Sequence, residues 1–304
     1  MKSTVVFAKL VRWPNLVFIL LTQALFYFCV INRLLPDYMS VTHLTFITIS
    51  YVLIAAAGYI INDYFDLRID LINKPERVFI TNGISKYWAI GWYALLNIVA
   101  IGLSTFVDMD AAGKTIVGST VTCIVLLFFY SAIFKKKFLI GNIVVAGVTA
   151  WSIIVLTCMQ AGWSWLHDDG NNTQMIGWLA ILYTGFAFII SLIREIIKDM
   201  EDVVGDEKFR CRTMPIVWGI TGARLFVITL LGVLVLVLFA TTVVLLREQR
   251  WLMGLYCGGM IITPLVAVAV KLGKAATTSD YHRLSTYIKL VMLSGIASML
   301  FFIV

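Results

Sequence analysis

Long apolar runs separated by short polar segments make up most of this chain. A run of about 20 apolar residues is long enough to cross a bilayer as a helix. Because the runs are continuous and do not alternate with polar residues, they are typical of membrane helices and not of a membrane β-barrel. The first run is too long for a signal peptide and lacks a small-residue cleavage site, so we keep it as structure. The pattern predicts an all-α membrane protein with nine transmembrane helices, at about 13–31, 44–62, 87–107, 115–134, 139–160, 175–194, 223–246, 251–271 and 286–304.

Two of these runs are followed by the same acidic pattern. The segments 62–70 and 198–206 both contain D-x-x-D-x-x-x-D. On a helix, these positions fall within an arc of about 60°, so each copy projects three carboxylates from one face. The copies follow the second and the sixth run, which indicates a loose parallel repeat within a single domain covering residues 1–304. The aspartates are Asp63, Asp66 and Asp70 in the first copy and Asp199, Asp202 and Asp206 in the second.

Three carboxylates on one helix face favour a divalent metal. They repel one another, and removing any of them from water costs several kcal/mol unless the charge is compensated. Mg²⁺ provides this compensation, and it prefers a few carboxylates together with the phosphate oxygens of a substrate. Ordinary solvated helix ends are the alternative, but a second copy with matched spacing argues against them. We therefore expect the two clusters to bind Mg²⁺ and, through it, a diphosphate.

Composition supports the membrane assignment, and charge orients the chain. The chain is 61% hydrophobic and 13% charged, with a mean hydropathy of +0.93, whereas soluble domains are about one quarter charged. With the N-terminus in the cytoplasm, only four of the 24 lysine and arginine residues fall outside, as the positive-inside rule requires. Both acidic motifs then open to the cytoplasm. This topology explains the net charge of +7 and gives no case for nucleic-acid binding.

Basic and polar residues near the acidic motifs are candidates for binding the diphosphate. Lysine offers phosphate a point charge and arginine a bidentate partner, although each residue could equally be a topology signal. Arg194 and Glu195, at the edge of the sixth run, are placed near the substrate, since Glu195 precedes Asp199 by four residues on the same helix face. The diphosphate-binding candidates are Arg68, Lys74, Arg77, Tyr130, Ser131, Lys135, Lys136, Lys137, Lys198 and Arg212.

Together, these features make the chain resemble the UbiA superfamily of intramembrane prenyltransferases. The resemblance covers nearly the whole length and rests on the nine runs, the two acidic motifs, the Tyr130…Lys135 element with Gly141-Asn142, and Arg12-Trp-Pro-Asn15. It implies a bundle of nine transmembrane helices around a central cavity. It also implies Mg²⁺-dependent ionisation of an isoprenyl diphosphate, followed by transfer of the isoprenyl group to a lipophilic acceptor.

The resemblance further implies roles for individual residues. Each aspartate triad would hold one of two Mg²⁺ ions, and Asn62 and Lys198 would contact metal or diphosphate. Asn15 would lie near the substrate. No general base is visible in the sequence, and the released diphosphate could take the proton. The spacing of the tyrosine–lysine element leaves open which of Lys135, Lys136 and Lys137 contacts phosphate.

The acceptor class is suggested by one segment. Residues 194–206 together with 212–216 are most similar to digeranylgeranylglyceryl phosphate synthases. That similarity implies transfer of a geranylgeranyl group to the hydroxyl of geranylgeranylglyceryl phosphate in ether-lipid synthesis, in a bacterial or archaeal cell membrane. Aromatic (quinone-type) prenyltransferases and membrane terpene cyclases share the scaffold and remain alternatives. A cation or phosphate transporter is a more remote one, and the oligomeric state stays open.

Overall fold

The described chain is helical throughout. The computed structural model describes residues 3–36, 38–73, 75, 78–81, 83–110, 115–157 and 171–303. No β-strand occurs in these segments, so the prediction of an all-α fold is confirmed. A short helical turn at Met214–Val217 accompanies the main helices. The main helices are α1 (Ser3–Leu10), α2 (Trp13–Leu34), α3 (Val41–Asn73), α4 (Lys86–Asp110), α5 (Thr115–Ala132), α6 (Ile140–Ile154), α7 (Asn171–Lys208), α8 (Gly219–Arg247), α9 (Trp251–Lys274) and α10 (Thr278–Phe302).

Most of these helices can cross a membrane. Within the described segments, seven helices are long and apolar enough to span a bilayer, namely α2, α3, α4, α7, α8, α9 and α10. Two predicted spans, 115–134 and 139–160, correspond to the shorter apolar helices α5 and α6. The protein is therefore an integral membrane protein, while the count of nine spans stays a prediction.

The described chain divides into two compact units, each carrying one acidic motif. The first consists of residues 1–135 and 147–184. In it, α3 packs against α2, α4 and α5. A buried cluster joins the end of α1 to the part of α3 before the acidic motif, to the segment that follows α3 and to the first turn of α4. Its members are Leu10, Val11, Ala56, Ile60, Ile80 and Ala89.

The second unit consists of residues 136–146 and 185–304. Its core is a large cluster of buried aliphatic side chains from α7, α8, α9 and α10, including Ile193, Leu231 and Leu265. Gly295 allows α10 to approach α7 closely, because a Cβ atom at this position would overlap the Phe186 ring. Large side chains such as Leu236 and Phe239 on α8 are exposed, as expected for a helix that faces lipid.

Local sequence explains where the helices begin and end. Pro14 occupies the first turn of α2, where its missing N–H costs nothing. At the start of α10, Thr277 and Asp280 form a capping box in which each side chain accepts a hydrogen bond from the other residue's backbone N–H. α3 continues past its apolar run to Asn73, and α7 continues to Lys208. Both acidic motifs therefore lie on helices, as the sequence predicts.

Candidate active site

The first acidic cluster lies at the end of α3 and is largely buried. Asp66 is 1% exposed and Asp63 is 9% exposed. Arg12 binds Asp63, with Nη2 2.6 Å from Oδ1, and its guanidinium stacks over the Tyr59 ring at 4.9 Å. Arg12 occupies the left-handed backbone region (φ 52°) between α1 and α2. The turn between α1 and α2 therefore places the positively charged Arg12 side chain beside the acidic motif on α3.

Asp66 is held by two further side chains. Asn62 Nδ2 donates to Asp66 Oδ2 over 2.8 Å, and Lys135 Nζ donates to the same oxygen. The second carboxylate oxygen, Asp66 Oδ1, and the amide oxygen of the donor, Asn62 Oδ1, are both buried without a hydrogen-bond partner among the described residues. Two unpartnered oxygens one helical turn apart are a costly arrangement unless a cation binds them.

Arg12 and Lys135 act as fixed positive charges in this cluster. Burial alone lowers the pKa of the Lys135 ammonium, but the Asp66 carboxylate and the nearby Tyr130 raise this pKa well above its usual value. Burial likewise lowers the pKa of the Arg12 guanidinium, and the charge of Asp63 outweighs that effect, so the pKa lies above its ordinary value. Both groups therefore stay protonated at physiological pH.

The remaining candidates near the first cluster differ in placement. Asp70 and Tyr130 are half-buried and Arg68 is exposed. Ser131 is buried, and its hydroxyl donates to the Leu127 carbonyl over 2.9 Å, within its own helix. Asn15, half-buried in the first turn of α2, donates its backbone N–H to the Arg12 carbonyl over 2.8 Å. Two further candidates, Lys74 and Arg77, lie outside the described residues.

The structure distinguishes among the three lysines that follow α5. Lys135 is half-buried and contacts Asp66, whereas the side chains of Lys136 and Lys137 are exposed. Lys136 instead contributes its backbone carbonyl, which accepts the Arg212 N–H over 2.8 Å. Lys135 is therefore the lysine of this segment that joins the first acidic cluster.

Replacing Lys135 by methionine should destabilise the metal-free protein. The change leaves the buried Asp66 carboxylate without its cation, and breaking a buried ion pair in this way costs about 3 kcal/mol. We expect a clear drop in the thermal unfolding temperature of the detergent-solubilised protein in EDTA. Lys136→Met is the matched control and should leave it unchanged. Equal effects of the two substitutions would contradict the pairing of Lys135 with Asp66.

The second acidic cluster lies at the end of α7. Asn142 Nδ2, at the start of α6, donates to Asp199 Oδ2 over 2.8 Å. Asp206 is buried and Asp202 is half-buried. The side chain of Arg212, beyond the end of α7, is exposed. The second motif therefore also forms a largely buried group of carboxylates, and the side-chain amide of Asn142 is the hydrogen-bond partner of Asp199.

A buried ion triad precedes this cluster on α7. Glu195 Oε1 is 3.0 Å from Arg194 Nη1, and Glu195 Oε2 is 2.8 Å from Lys198 Nζ. All three side chains are mostly buried. Arg194 and Glu195, both predicted to lie near the substrate, therefore form an ion pair that Lys198 joins.

The donor atoms of the first cluster fit Mg²⁺. As arranged in the described residues, no group of three or more His, Cys, Asp or Glu side chains forms a ready metal site. In the first cluster, Asp63 and Asp66 are paired with Arg12 and Lys135. The two unpartnered oxygens of Asn62 and Asp66 are hard ligands of the kind Mg²⁺ prefers. A few protein oxygens with room for substrate phosphate match its usual coordination better than a closed cage.

Two residues of these clusters were missed by the sequence analysis. Arg12 and Asn142 both stand in the motifs that carry the family resemblance, yet neither was assigned to the site. Their partners lie 51 and 57 residues away in sequence. The sequence signal for both was their position, since each is a polar residue near the beginning of a predicted apolar run.

Comparisons with known proteins identify the family of this chain. The sequence profile of the UbiA prenyltransferase family matches residues 20–292. The chain is 30% identical over 255 residues to digeranylgeranylglyceryl phosphate synthase from Methanopyrus kandleri, covering 81% of this chain and 82% of that one. A solved digeranylgeranylglyceryl phosphate synthase structure aligns with a TM-score of 0.62 at 20% identity, covering 99% of both chains.

A second solved structure shares the fold. A UbiA homolog from Archaeoglobus fulgidus bound to GPP and Mg²⁺ aligns with a TM-score of 0.62 at 15% identity, covering 97% of this chain and 99% of that one. The match of the family profile extends over both acidic motifs. The chain therefore belongs to the UbiA prenyltransferase family.

Proposed function

We propose that this prenyltransferase transfers a geranylgeranyl group from its diphosphate to the hydroxyl of geranylgeranylglyceryl phosphate. The acceptor oxygen forms an ether bond to C1 of the donor, and the bond from C1 to the diphosphate breaks. The hydroxyl proton passes to the released diphosphate. The pair of buried, unpartnered oxygens on Asn62 and Asp66 carries the proposal, and the archaeal relative named digeranylgeranylglyceryl phosphate synthase supports this choice of substrates.

Each acidic cluster is proposed to hold one Mg²⁺ ion. Asp63, Asp66 and Asp70, with Asn62, would bind the first ion, and the second would be bound by Asp199, Asp202 and Asp206. Bound Mg²⁺ would supply positive charge to the leaving diphosphate. The Archaeoglobus fulgidus homolog bound to GPP and Mg²⁺ supports this requirement.

The protein's own cations complete the proposed diphosphate site. Lys135 lies beside Asp66 and stays positively charged. It can therefore pair with a phosphate oxygen when the Asp66 carboxylate binds Mg²⁺ instead. Arg12, which is paired with Asp63, can likewise bind a phosphate oxygen when Asp63 binds Mg²⁺. Such preorganised charges stabilise the leaving group as its negative charge grows. The wider set proposed to contact diphosphate is Arg68, Lys74, Arg77, Tyr130, Ser131, Lys136, Lys137, Lys198 and Arg212.

The proposed setting is a single nine-span domain with its N-terminus and active site in the cytoplasm. The distribution of lysine and arginine supports this orientation. Phosphorylated substrates and Mg²⁺ are then available on the side to which the acidic motifs open. The archaeal relatives favour an archaeal cell membrane as the location.

Product identification tests the proposed reaction. Purified protein is incubated with isoprenyl diphosphates of several lengths and a panel of acceptors, and the products are identified by mass spectrometry. The expected product is digeranylgeranylglyceryl phosphate. A prenylated aromatic acceptor as the main product would assign a quinone-type role, and consumption of the diphosphate without any acceptor would indicate a cyclase. Failure to form any new lipid would favour a transporter.

Chelation of divalent metal should abolish turnover reversibly. EDTA removes the ions proposed to offset the charge of the diphosphate, so we expect loss of product and its return when excess Mg²⁺ is added. The measurement is the initial rate of transfer of radiolabel from geranylgeranyl diphosphate into lipid. Ca²⁺ serves as the control ion, since its larger radius and longer bonds to oxygen fit a magnesium site poorly. Full activity in EDTA would contradict the metal assignment.

A further inference from the structure

Helix α5 contacts α3, which carries the first acidic motif, at three levels. At the level farthest from the motif, the hydroxyl oxygens of Tyr51 on α3 and Ser119 on α5 are 2.6 Å apart, and both residues are buried. Ser119 also accepts a hydrogen bond from the indole N–H of Trp151 on α6. Because Tyr51 precedes Asp66 by 15 residues, these hydrogen bonds join the helices about 22 Å along the axis of α3 from Asp66.

Gly58 allows the two helices to approach closely at the middle level. A Cβ atom on Gly58 would lie 3.0 Å from Cδ1 of Leu127 on α5, whereas carbon atoms in contact are best separated by about 3.5–4.0 Å. Small residues at helix contacts are what lets membrane helices pack closely. A larger side chain at position 58 would therefore push α5 away from α3 or force Leu127 to move.

The third contact is the ion pair of Lys135 with Asp66. Helix α5 ends at Ala132, and Lys135 follows in a short 3₁₀ turn, Phe134–Lys136. Because only this turn separates the lysine from the helix, a shift of α5 along α3 moves the Lys135 ammonium relative to Asp66. The position of this cation therefore depends on how α5 packs against α3.

The three contacts share one register. In each, the residue on α5, or in the turn after it, comes 68 or 69 positions later in the chain than its partner on α3. The pairs are Tyr51 with Ser119, Gly58 with Leu127, and Asp66 with Lys135. A nearly constant separation shows that α3 and α5 run in the same direction and stay aligned up to the acidic cluster. The turn that carries Lys135 is thus anchored by packed helices, which hold a side chain more precisely than a loop does.

Resting on the proposed role of Lys135 at the diphosphate, we propose that Gly58, Tyr51 and Ser119 are positioning residues for the Lys135 ammonium. Gly58 sets the distance between α5 and α3, and the hydrogen bonds at Ser119 fix the alignment of the two helices. A cation stabilises the leaving diphosphate only if it lies where the negative charge develops. A misplacement of about 1 Å, caused far from the chemistry, can cost about 100-fold in rate.

Enlarging Gly58 should lower turnover through Lys135. We expect Gly58→Val to lower kcat for geranylgeranyl transfer by about 10- to 100-fold. In a Lys135→Met background, the same substitution should change kcat by less than about twofold, because no ammonium is left to misplace. Losses that multiply in this double-mutant cycle would show that Gly58 acts on folding or on another group, and would overturn the inference.

A compensating substitution and a second glycine make this test specific. Leu127→Ala removes the atoms that a side chain at position 58 would meet, so Gly58→Val combined with Leu127→Ala should recover most of the lost kcat. Gly118 on α5 is the control, since a Cβ atom there would meet no atom within 4 Å. Gly118→Val should leave kcat within about twofold of the wild type. A loss equal to that of Gly58→Val would overturn the inference.

The distant hydrogen bonds provide a second variant that keeps the close contact at Gly58 intact. Ser119→Ala removes the hydroxyl that Tyr51 and Trp151 share, and we expect kcat to fall about threefold to tenfold. The loss should again disappear in the Lys135→Met background. Thr120→Val is the matched control, because Thr120 is also buried on α5 but its hydroxyl has no hydrogen-bond partner among the described residues. Equal losses in these two variants would contradict a role for the hydrogen bonds at Ser119.

Thermal unfolding in EDTA separates this inference from the proposed function, because it requires no substrate. Lys135→Met should lower the unfolding temperature less in the Gly58→Val background than in the wild type, since the lysine is then already displaced from Asp66. The same decrease in both backgrounds would overturn the inference. If this coupling is found while the wild type transfers no isoprenyl group to any acceptor, the positioning of Lys135 is supported and the proposed function is rejected.

Discussion

Replacing Asp66 by asparagine should lower turnover by at least about 100-fold while the protein stays folded. The substitution keeps the shape of the most deeply buried carboxylate of the first cluster, which is 1% exposed, and removes its charge. A metal ligand contributes several kcal/mol to transition-state stabilisation, and each 1.36 kcal/mol is a factor of about ten in rate. Product formation from geranylgeranyl diphosphate at saturating Mg²⁺ measures the effect.

The second cluster supplies both a counterpart and a control for this substitution. Asp202→Ala should give a similar loss, because it removes a proposed ligand of the second ion. Glu207→Gln changes an exposed carboxylate of the same helix and should leave turnover within about twofold of the wild type. Circular dichroism and the unfolding temperature confirm that each variant is folded. Near-normal turnover in both aspartate variants would remove the basis for the metal assignment.

The fold was predictable because bilayer helices impose a simple requirement on sequence. Every predicted run overlaps a helix in the described residues, although residues 158–160 of the fifth run lie outside them. The ends of the helices were less predictable, because the hydropathy of a residue indicates whether it is buried and not whether it is helical. The run at 139–160 illustrates this: α6 ends at Ile154, yet Val155 and Leu156 are buried in the turn that follows. The Thr157 carbonyl in this turn accepts a hydrogen bond from the Tyr38 hydroxyl.

The site was predictable only in part. The spacing of aspartates places three carboxylates along each helix, and that is a local property of the chain. The pairing of Arg12 with Asp63 and of Asn142 with Asp199 depends on how separate helices pack, which spacing does not encode. The choice of Lys135 among three consecutive lysines depends on the short turn after α5. That the two clusters act on one diphosphate stays a prediction.

Replacing Asn142 by leucine should weaken Mg²⁺ binding without destroying the site. The Asn142 amide is the hydrogen-bond donor that orients Asp199, and loss of such an outer partner typically costs about 10- to 100-fold in metal affinity or activity. We expect the Mg²⁺ concentration for half-maximal turnover to rise by this factor. Turnover at saturating Mg²⁺ should recover largely, because every proposed ligand is still present.

Asn97 provides a control of the same residue type and burial. Asn97 and Asn142 are each 7% exposed, but Asn97 lies on α4, outside both acidic motifs. Asn97→Leu should therefore change stability without moving the Mg²⁺ dependence. If Asn142→Leu lowers turnover equally at all Mg²⁺ concentrations, the amide acts on substrate or on folding and not through a metal ligand. A Mg²⁺ shift confined to the Asn142 variant connects this buried hydrogen bond to the metal, because of these two asparagines only Asn142 donates to a proposed metal ligand.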